Sequence, residues 1–159
     1  MKQQAGIAQC AKAPAPAAQS HPLPDLTLPC LGGGPAVHLP GLRGPMVINL
    51  FAQWCGPCRA ELPFYQKLHE QARGRVKVLG IDWLDTQPGR ALQLAEQTGV
   101  TFPLLADPAG ELRAPWRIRG LPGVVFVDAH GRVRDVEFLS IDSYAQLKHL
   151  VAAHLGIRL

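Results

Sequence analysis

Met46-Val47-Ile48-Asn49-Leu50-Phe51-Ala52-Gln53-Trp54-Cys55-Gly56-Pro57-Cys58-Arg59 runs from an almost wholly apolar hexapeptide into two cysteines separated by two residues. The apolar run reads as a buried strand. The stretch after it, with Ala60, Phe64 and Leu68 four apart, predicts a helix from about Arg59 to about residue 72. The thiols therefore fall at a helix N-terminus, where unpaired N–H groups concentrate partial positive charge and favour a thiolate. Lowering a cysteine pKa raises the thiolate fraction and makes a good leaving group, the two demands of thiol–disulfide exchange.

Other chemistries for this pair fit less well. Half a zinc site needs a second cysteine pair or suitably spaced histidines, and Cys10 and Cys30 stand alone with no such partner. No metal and no cofactor is expected. The Gly56-Pro57 insert, flanked by Trp54, argues for a tight exposed turn rather than inert packing. The six histidines, including His154, have no ligand spacing with the cysteines and read as ordinary surface or edge positions.

Outward from this segment, strands and helices alternate. Residues 76–82 form a second apolar strand. Pro88 opens a helix with Ala91, Leu94, Ala95 and Thr98 on one face, and Gly99 closes it. Residues 102–106 are extended, a short helix follows around 111–116, and 124–127 and 132–139 read as strands of a hairpin joined at Asp128-Ala129-His130-Gly131. The last helix is capped by Asp142 or Ser143 and buries Leu147, Leu150, Val151 and Leu155. A βαβ unit requires a right-handed crossover between parallel strands, and the hairpin adds antiparallel ones. The expected fold is α/β, with a central mixed sheet flanked by helices.

A chain of 159 residues with 47% hydrophobic content can bury one core and is too short for two ordinary domains. The net charge of +4 is scattered, and the nearest approach to a patch, Arg113, Arg117, Arg119, Arg132 and Arg134, lacks interleaved aromatic platforms, so no nucleic-acid partner is expected. Residues 1–22 are rich in Ala and Pro and show no periodic apolar face. They read as a flexible arm ahead of a domain at 23–159. No stretch approaches the ~20 apolar residues of a membrane span. The arm is expected to be the remnant left after an export or anchor segment.

The segment Asn49 to Pro63 resembles the active-site region of thioredoxin-fold proteins, and most closely the membrane-anchored or secreted bacterial thiol–disulfide oxidoreductases of the TlpA/ResA type. A second signature, Gly120-Leu121-Pro122-Gly123-Val124-Val125-Phe126-Val127-Asp128, is similar to the family segment in which a cis-proline precedes a strand and faces the two cysteines. The resemblance spans roughly residues 23–157 and implies a thioredoxin fold with an N-terminal extension. It implies that Cys55 is the nucleophile, Cys58 the resolving thiol and Pro122 the cis-proline, with Trp54, Gly56 and Pro57 in support. Cytosolic thioredoxins carry a buried aspartate where Asn49 stands, and the TlpA/ResA type carries a glutamate at the position of Glu61. One helical turn from Cys58, Glu61 is expected to take or supply the resolving thiol's proton. Gly123 departs from the threonine often found in relatives, and Pro63 resembles the proline that bends the active-site helix.

Cys10 lies in the arm and Cys30 in a glycine-rich loop, Pro29 to Gly34, neither of which is a typical buried-core site. A structural disulfide pinning the arm to the domain is the expectation, with free thiols or intermolecular links as alternatives, and such a bond persists only outside the reducing cytosol. The chain is thus expected to be an extracytoplasmic enzyme, membrane-anchored or secreted and monomeric, that reduces disulfides of secreted proteins. The resemblance implies apocytochrome c thiols among its substrates and a membrane reductase as electron donor. The alternatives are a thiol oxidase or isomerase of secreted proteins, a copper metallochaperone using Cys55 and Cys58, and, more weakly, a peroxidase.

Overall fold

Six consecutive buried residues, Met46–Phe51, form β3, the central strand of a five-stranded sheet; residues 2–11 and 20–159 are described in the computed structural model. The strand order is β5-β4-β3-β6-β7, with β4 at Lys77–Trp83, β5 at Leu104–Asp107, β6 at Gly123–Val127 and β7 at Val133–Glu137. β3 pairs in parallel with β4 and β4 with β5, whereas β6 and β7 run antiparallel, with a register irregularity at Phe126/Val127. The sheet is mixed, with the thioredoxin fold's arrangement.

Two right-handed crossovers, through α2 (Gly56–Ala72) and α3 (Pro88–Gln97), set both helices on one face of the sheet, where α5 (Tyr144–Leu155) also packs. Val47, Phe51, Val78, Val124 and Phe126 point to that side and bury Leu62, Tyr65, Leu68, Leu94 and Val151. The alternate residues Ile48, Leu50, Leu79, Ile81 and Val125 face the opposite side. There a two-stranded ribbon, β1 (Thr27–Leu28) and β2 (Val37–His38), covers them with a 3₁₀ turn at Leu39–Gly41 and α4 (Arg113–Trp116). Neither the ribbon nor the cis Gly44–Pro45 peptide had a signal strong enough to read from the residues alone.

Several expectations need correction. The active-site helix starts at Gly56, three residues earlier than the apolar spacing suggested, because Cys55 itself occupies the N-cap position and Pro57 fits the first turn without an N–H to satisfy. Its buried face is Cys58, Glu61, Leu62, Tyr65, Gln66, Leu68 and Ala72, while Ala60 is exposed and Phe64 half-buried. The true stripe contains polar members, which an apolar-only pattern misses. The helix continues through Pro63, which lies on the solvent side. In α5, Leu147 and Val151 are buried but Leu150 and Leu155 only half so; Ser143 is the cap, accepting from the Gln146 amide.

The arm also differs from the flexible tether expected for residues 1–22. Residues 12–19 lie outside the described residues, but α1 (Lys2–Ala5) packs against α3, Ile7 enters the helical-side core, and the Ala8 amide donates to the Thr101 carbonyl at 2.8 Å. Cys10 and Cys30 are both buried and joined as a disulfide, 6.0 Å apart at Cα. Close approach is possible because Gly32, Gly33 and Gly34 all take positive φ and a Cβ at Gly34 would sit 2.8 Å from Gln9 Oε1. On either side of Cys30 the chain lies along β5: the Leu31 amide donates to the Leu104 carbonyl and the Ala106 amide to the Pro29 carbonyl, each at 2.9 Å. At the other side of the sheet, Pro22 bridges Arg132 and the Val133 amide donates to His21.

Candidate active site

The turn after β3 is closed by the Cys55 amide donating to the Ala52 carbonyl at 3.2 Å, which presents Cys55 as the N-cap of α2. Cys58, two residues into the helix, is fully buried, and Cys55 is the more accessible of the two at 5% exposure. The two form a disulfide, with Cα atoms 5.4 Å apart. Gly56 and Pro57 are exposed above it, and Trp54 beside it is half-exposed. The Trp54 ring is held in place by its indole N–H, which donates to the Leu84 carbonyl at 2.9 Å, and by Trp83, whose ring centre lies 6.5 Å away.

Beneath the pair sits a polar group sealed from water. Glu61 is 1% exposed; its Oε1 accepts from the Asn49 side-chain Nδ2 at 3.2 Å and its Oε2 from the Ile141 backbone amide at 2.8 Å. Burial pushes the carboxyl pKa up to about 7 against the pull of these two donors, with the Asp142 charge adding to the rise. Tyr65, one turn further along the same helix face, is wholly buried, and burial together with the Glu61 charge drives its hydroxyl well above the usual range. Asn49 on β3 therefore supplies an amide donor to a carboxyl that comes from the helix.

Two further acidic residues at this end of the sheet drew no attention in the sequence. Asp82, across from Phe51 in the β3–β4 register, is 1% exposed and pushed up to about 9 by burial and by its neighbour Asp85. Asp85 is also buried and accepts from the Gln53 and Gln87 amides, both at 2.9 Å, so it fixes the loop that leads into Trp54 and Cys55. The signal that was available is positional: Asp82 interrupts the apolar run of a strand one residue before its end, at the level of the cysteine turn.

The Leu121–Pro122 peptide is cis, and Pro122 lies one step beyond the Leu50–Gly123 pair that joins β3 to β6. Leu121 packs against the apolar cluster that contains Cys55 and Cys58. Among the described residues its amide and carbonyl make no backbone hydrogen bond. A shallow groove runs past Leu121 and Pro122 to Phe138 and Leu139. Gly123 sits in a tight place: a Cβ there would stand 3.0 Å from the Phe138 ring and 3.1 Å from the Leu50 side chain, so one of them must shift to admit a larger residue. The structure thus brings Trp54, Cys55, Gly56, Pro57, Cys58 and Glu61 together on one turn and helix, places Pro122 at the same end of the sheet, and sets the Cys10–Cys30 disulfide apart on the β5 side.

Comparison with known proteins agrees with this geometry. The AhpC/TSA family matches residues 20–136. The chain is 31% identical over 137 residues to the thiol:disulfide interchange protein DsbE of Pseudomonas fluorescens, covering 86% of this chain and 75% of the relative. It is 28% identical over 102 residues to the thiol-disulfide oxidoreductase ResA of Oceanobacillus iheyensis, covering 63% of this chain and 53% of that protein. Among solved structures, dsbF of MTB, in mixed oxidized and reduced forms, superposes with a TM-score of 0.70 at 28% identity, covering 81% of this chain and 94% of the other. A helix-capping cysteine pair, the mixed sheet and these relatives converge: the chain belongs to the AhpC/TSA family and is, within it, a thioredoxin-fold thiol–disulfide oxidoreductase of the TlpA/ResA-like type.

Proposed function

We propose that this oxidoreductase works outside the cytosol as a reductant of protein disulfides. The Cys55 thiolate attacks a substrate disulfide, forming a mixed disulfide and releasing one substrate sulfur as a thiolate. Cys58 then attacks the Cys55 sulfur, the second substrate thiolate leaves, and two electrons have passed to the substrate as Cys55–Cys58 is oxidised. Glu61 takes the Cys58 proton as that thiol becomes a nucleophile and returns it on re-reduction. The observation that carries this reading is Glu61, a buried carboxyl one helical turn past the buried Cys58 and poised near neutrality.

The groove beside Leu121 supports the substrate being a peptide. Unpaired main-chain groups next to a shallow groove suit an extended segment that adds as a short strand, with Leu121, Phe138 and Leu139 as its apolar contacts. The Cys10–Cys30 bond supports an oxidising compartment, since a buried structural disulfide does not persist in the reducing cytosol. Among the described residues no helix is long and apolar enough to cross a membrane. The disulfide of apocytochrome c, reduced to the thiols that take haem, is the proposed physiological substrate, a membrane dithiol reductase the electron donor, and the monomer the working form.

A glutathione or dithiothreitol redox titration, read by thiol trapping and mass spectrometry, tests the direction of electron flow. A Cys55–Cys58 potential near the ~−270 mV of reducing thioredoxins supports the reductant, and one near the ~−120 mV of strong oxidants recasts the protein as an oxidase or isomerase.

A further inference from the structure

Asp135 and Glu137 alternate along β7 and so share one face of that strand, the face toward α5 on which their paired residues Phe126 and Val124 contribute to the core. His154, in the last turn of α5, stacks its ring on Phe126, with centroids 4.6 Å apart and planes 28° apart. The stack fixes the imidazole so that Nε2 faces the strand. It lies 3.4 Å from Asp135 Oδ2 and 3.6 Å from Glu137 Oε2, and the three atoms all fall within 4.8 Å of one another.

These separations are long for hydrogen bonds, which between such groups centre near ~2.8 Å. Among the described residues another histidine–carboxylate pair, His38 with Asp25, closes to 2.8 Å. Glu137 Oε2 makes no hydrogen bond although that atom is shielded from solvent, and the second Asp135 oxygen is taken by the Val136 amide, leaving Oδ2 toward His154. Ligands held at 2.0–2.2 Å around a tetrahedral ion stand roughly 3.3–3.6 Å apart along each edge, by geometry from the usual zinc distances. Both histidine–carboxylate separations match that edge.

We propose that Asp135, Glu137 and His154 form a binding site for a divalent transition-metal ion of the zinc class, with three protein ligands and a fourth position open to water or to a side chain of a partner. One imidazole and two carboxylates suit zinc, or cobalt as its stand-in, better than the oxygen-only preference of calcium or magnesium. The site joins the edge strand to the C-terminal helix. It is separate from the cysteine pair and uses no sulfur.

The test uses oxidised protein, in which all four cysteines are in disulfides and cannot compete. Zinc binding is followed by calorimetry and cobalt binding by visible absorption. One ion per chain and the intense bands of tetrahedral cobalt are expected. Glu137→Gln, and separately His154→Phe, which keeps a ring stacked on Phe126, should each weaken binding by more than about tenfold, since losing a ligand should cost at least as much as losing a residue that orients one. Asp25→Asn, at the hydrogen-bonded pair, should leave binding unchanged. No binding by the native protein, binding that survives both ligand substitutions, or binding lost with Asp25→Asn would each overturn the assignment.

Discussion

Glu61 and Asp82 are carboxyls that the fold holds against their ordinary chemistry. Glu61 rises from 4.5 to about 7 through burial, so its carboxylate is the dominant form only above neutrality. The rate of insulin reduction should therefore carry a limb near pH 7 that Glu61→Gln removes, with a slower rate above it by ~10²-fold if the carboxyl is the general base. An identical pH profile in the variant would reject the role. Asp82 is a second case with a stability readout. Its folded pKa, about 9 against 3.8, means that the native state keeps a proton the unfolded chain releases, so this residue lowers stability progressively as pH rises from about 4 to 9. Thermal melts over that range should show a decline whose share from this one group is at most ~1.4 kcal/mol per pH unit, and Asp82→Asn should flatten it. Equal slopes in the two proteins would exclude the effect.

At the scale of elements, the strand–turn–helix unit around Cys55 was legible because its hydrophobic run, turn chemistry and thiol spacing agree with one another. The second half of the sheet was legible for the same reason, as Asp128 to Gly131 marks the hairpin. What stayed hidden depends on partners distant in sequence. Asp85 gains its place from the Gln53 amide 32 residues away, the sealing of Glu61, though its role was read, from the Ile141 amide 80 residues away, and Ile7 from a core assembled by other segments. The buried stripe of α2 was misread because Glu61 and Gln66 are polar, each satisfied by donors or acceptors from other elements. Gly123 offers a test at this scale. Gly123→Thr should cost about 1–3 kcal/mol by crowding Phe138 and Leu50, and Phe138→Ala should recover part of it. Additive costs in a double-mutant cycle would show that Phe138 is not what the new side chain meets.

Across the whole molecule, the N-terminal segment is held by the Cys10–Cys30 bond and by Ile7. Cys10→Ser/Cys30→Ser should lower stability by about 3 kcal/mol, the chain-entropy value for a loop with its sequence separation of 20, while disulfide reductase activity at Cys55 is retained. Chemical denaturation gives the first number and insulin turbidity the second. Loss of activity together with stability would mean that the arm contributes to the active site. A peptide map lacking the Cys10–Cys30 cross-link would remove the basis of the prediction.

The stretch from His21 to Leu31 touches β7 at one side of the sheet, passes over the face away from the active-site helix through Leu23 and Leu28, and finishes along β5 at the other. Both outermost strands are thus partly occupied by the same piece of chain. Exposed strand borders are templates on which other chains can pair, and a single strap that blunts two of them acts as a guard against aggregation. Its far end is fastened through Cys30. Reducing that bond in a protein otherwise built to exchange disulfides would then do more than loosen a loop: it would free β5 to recruit a neighbour, and self-association would follow redox state.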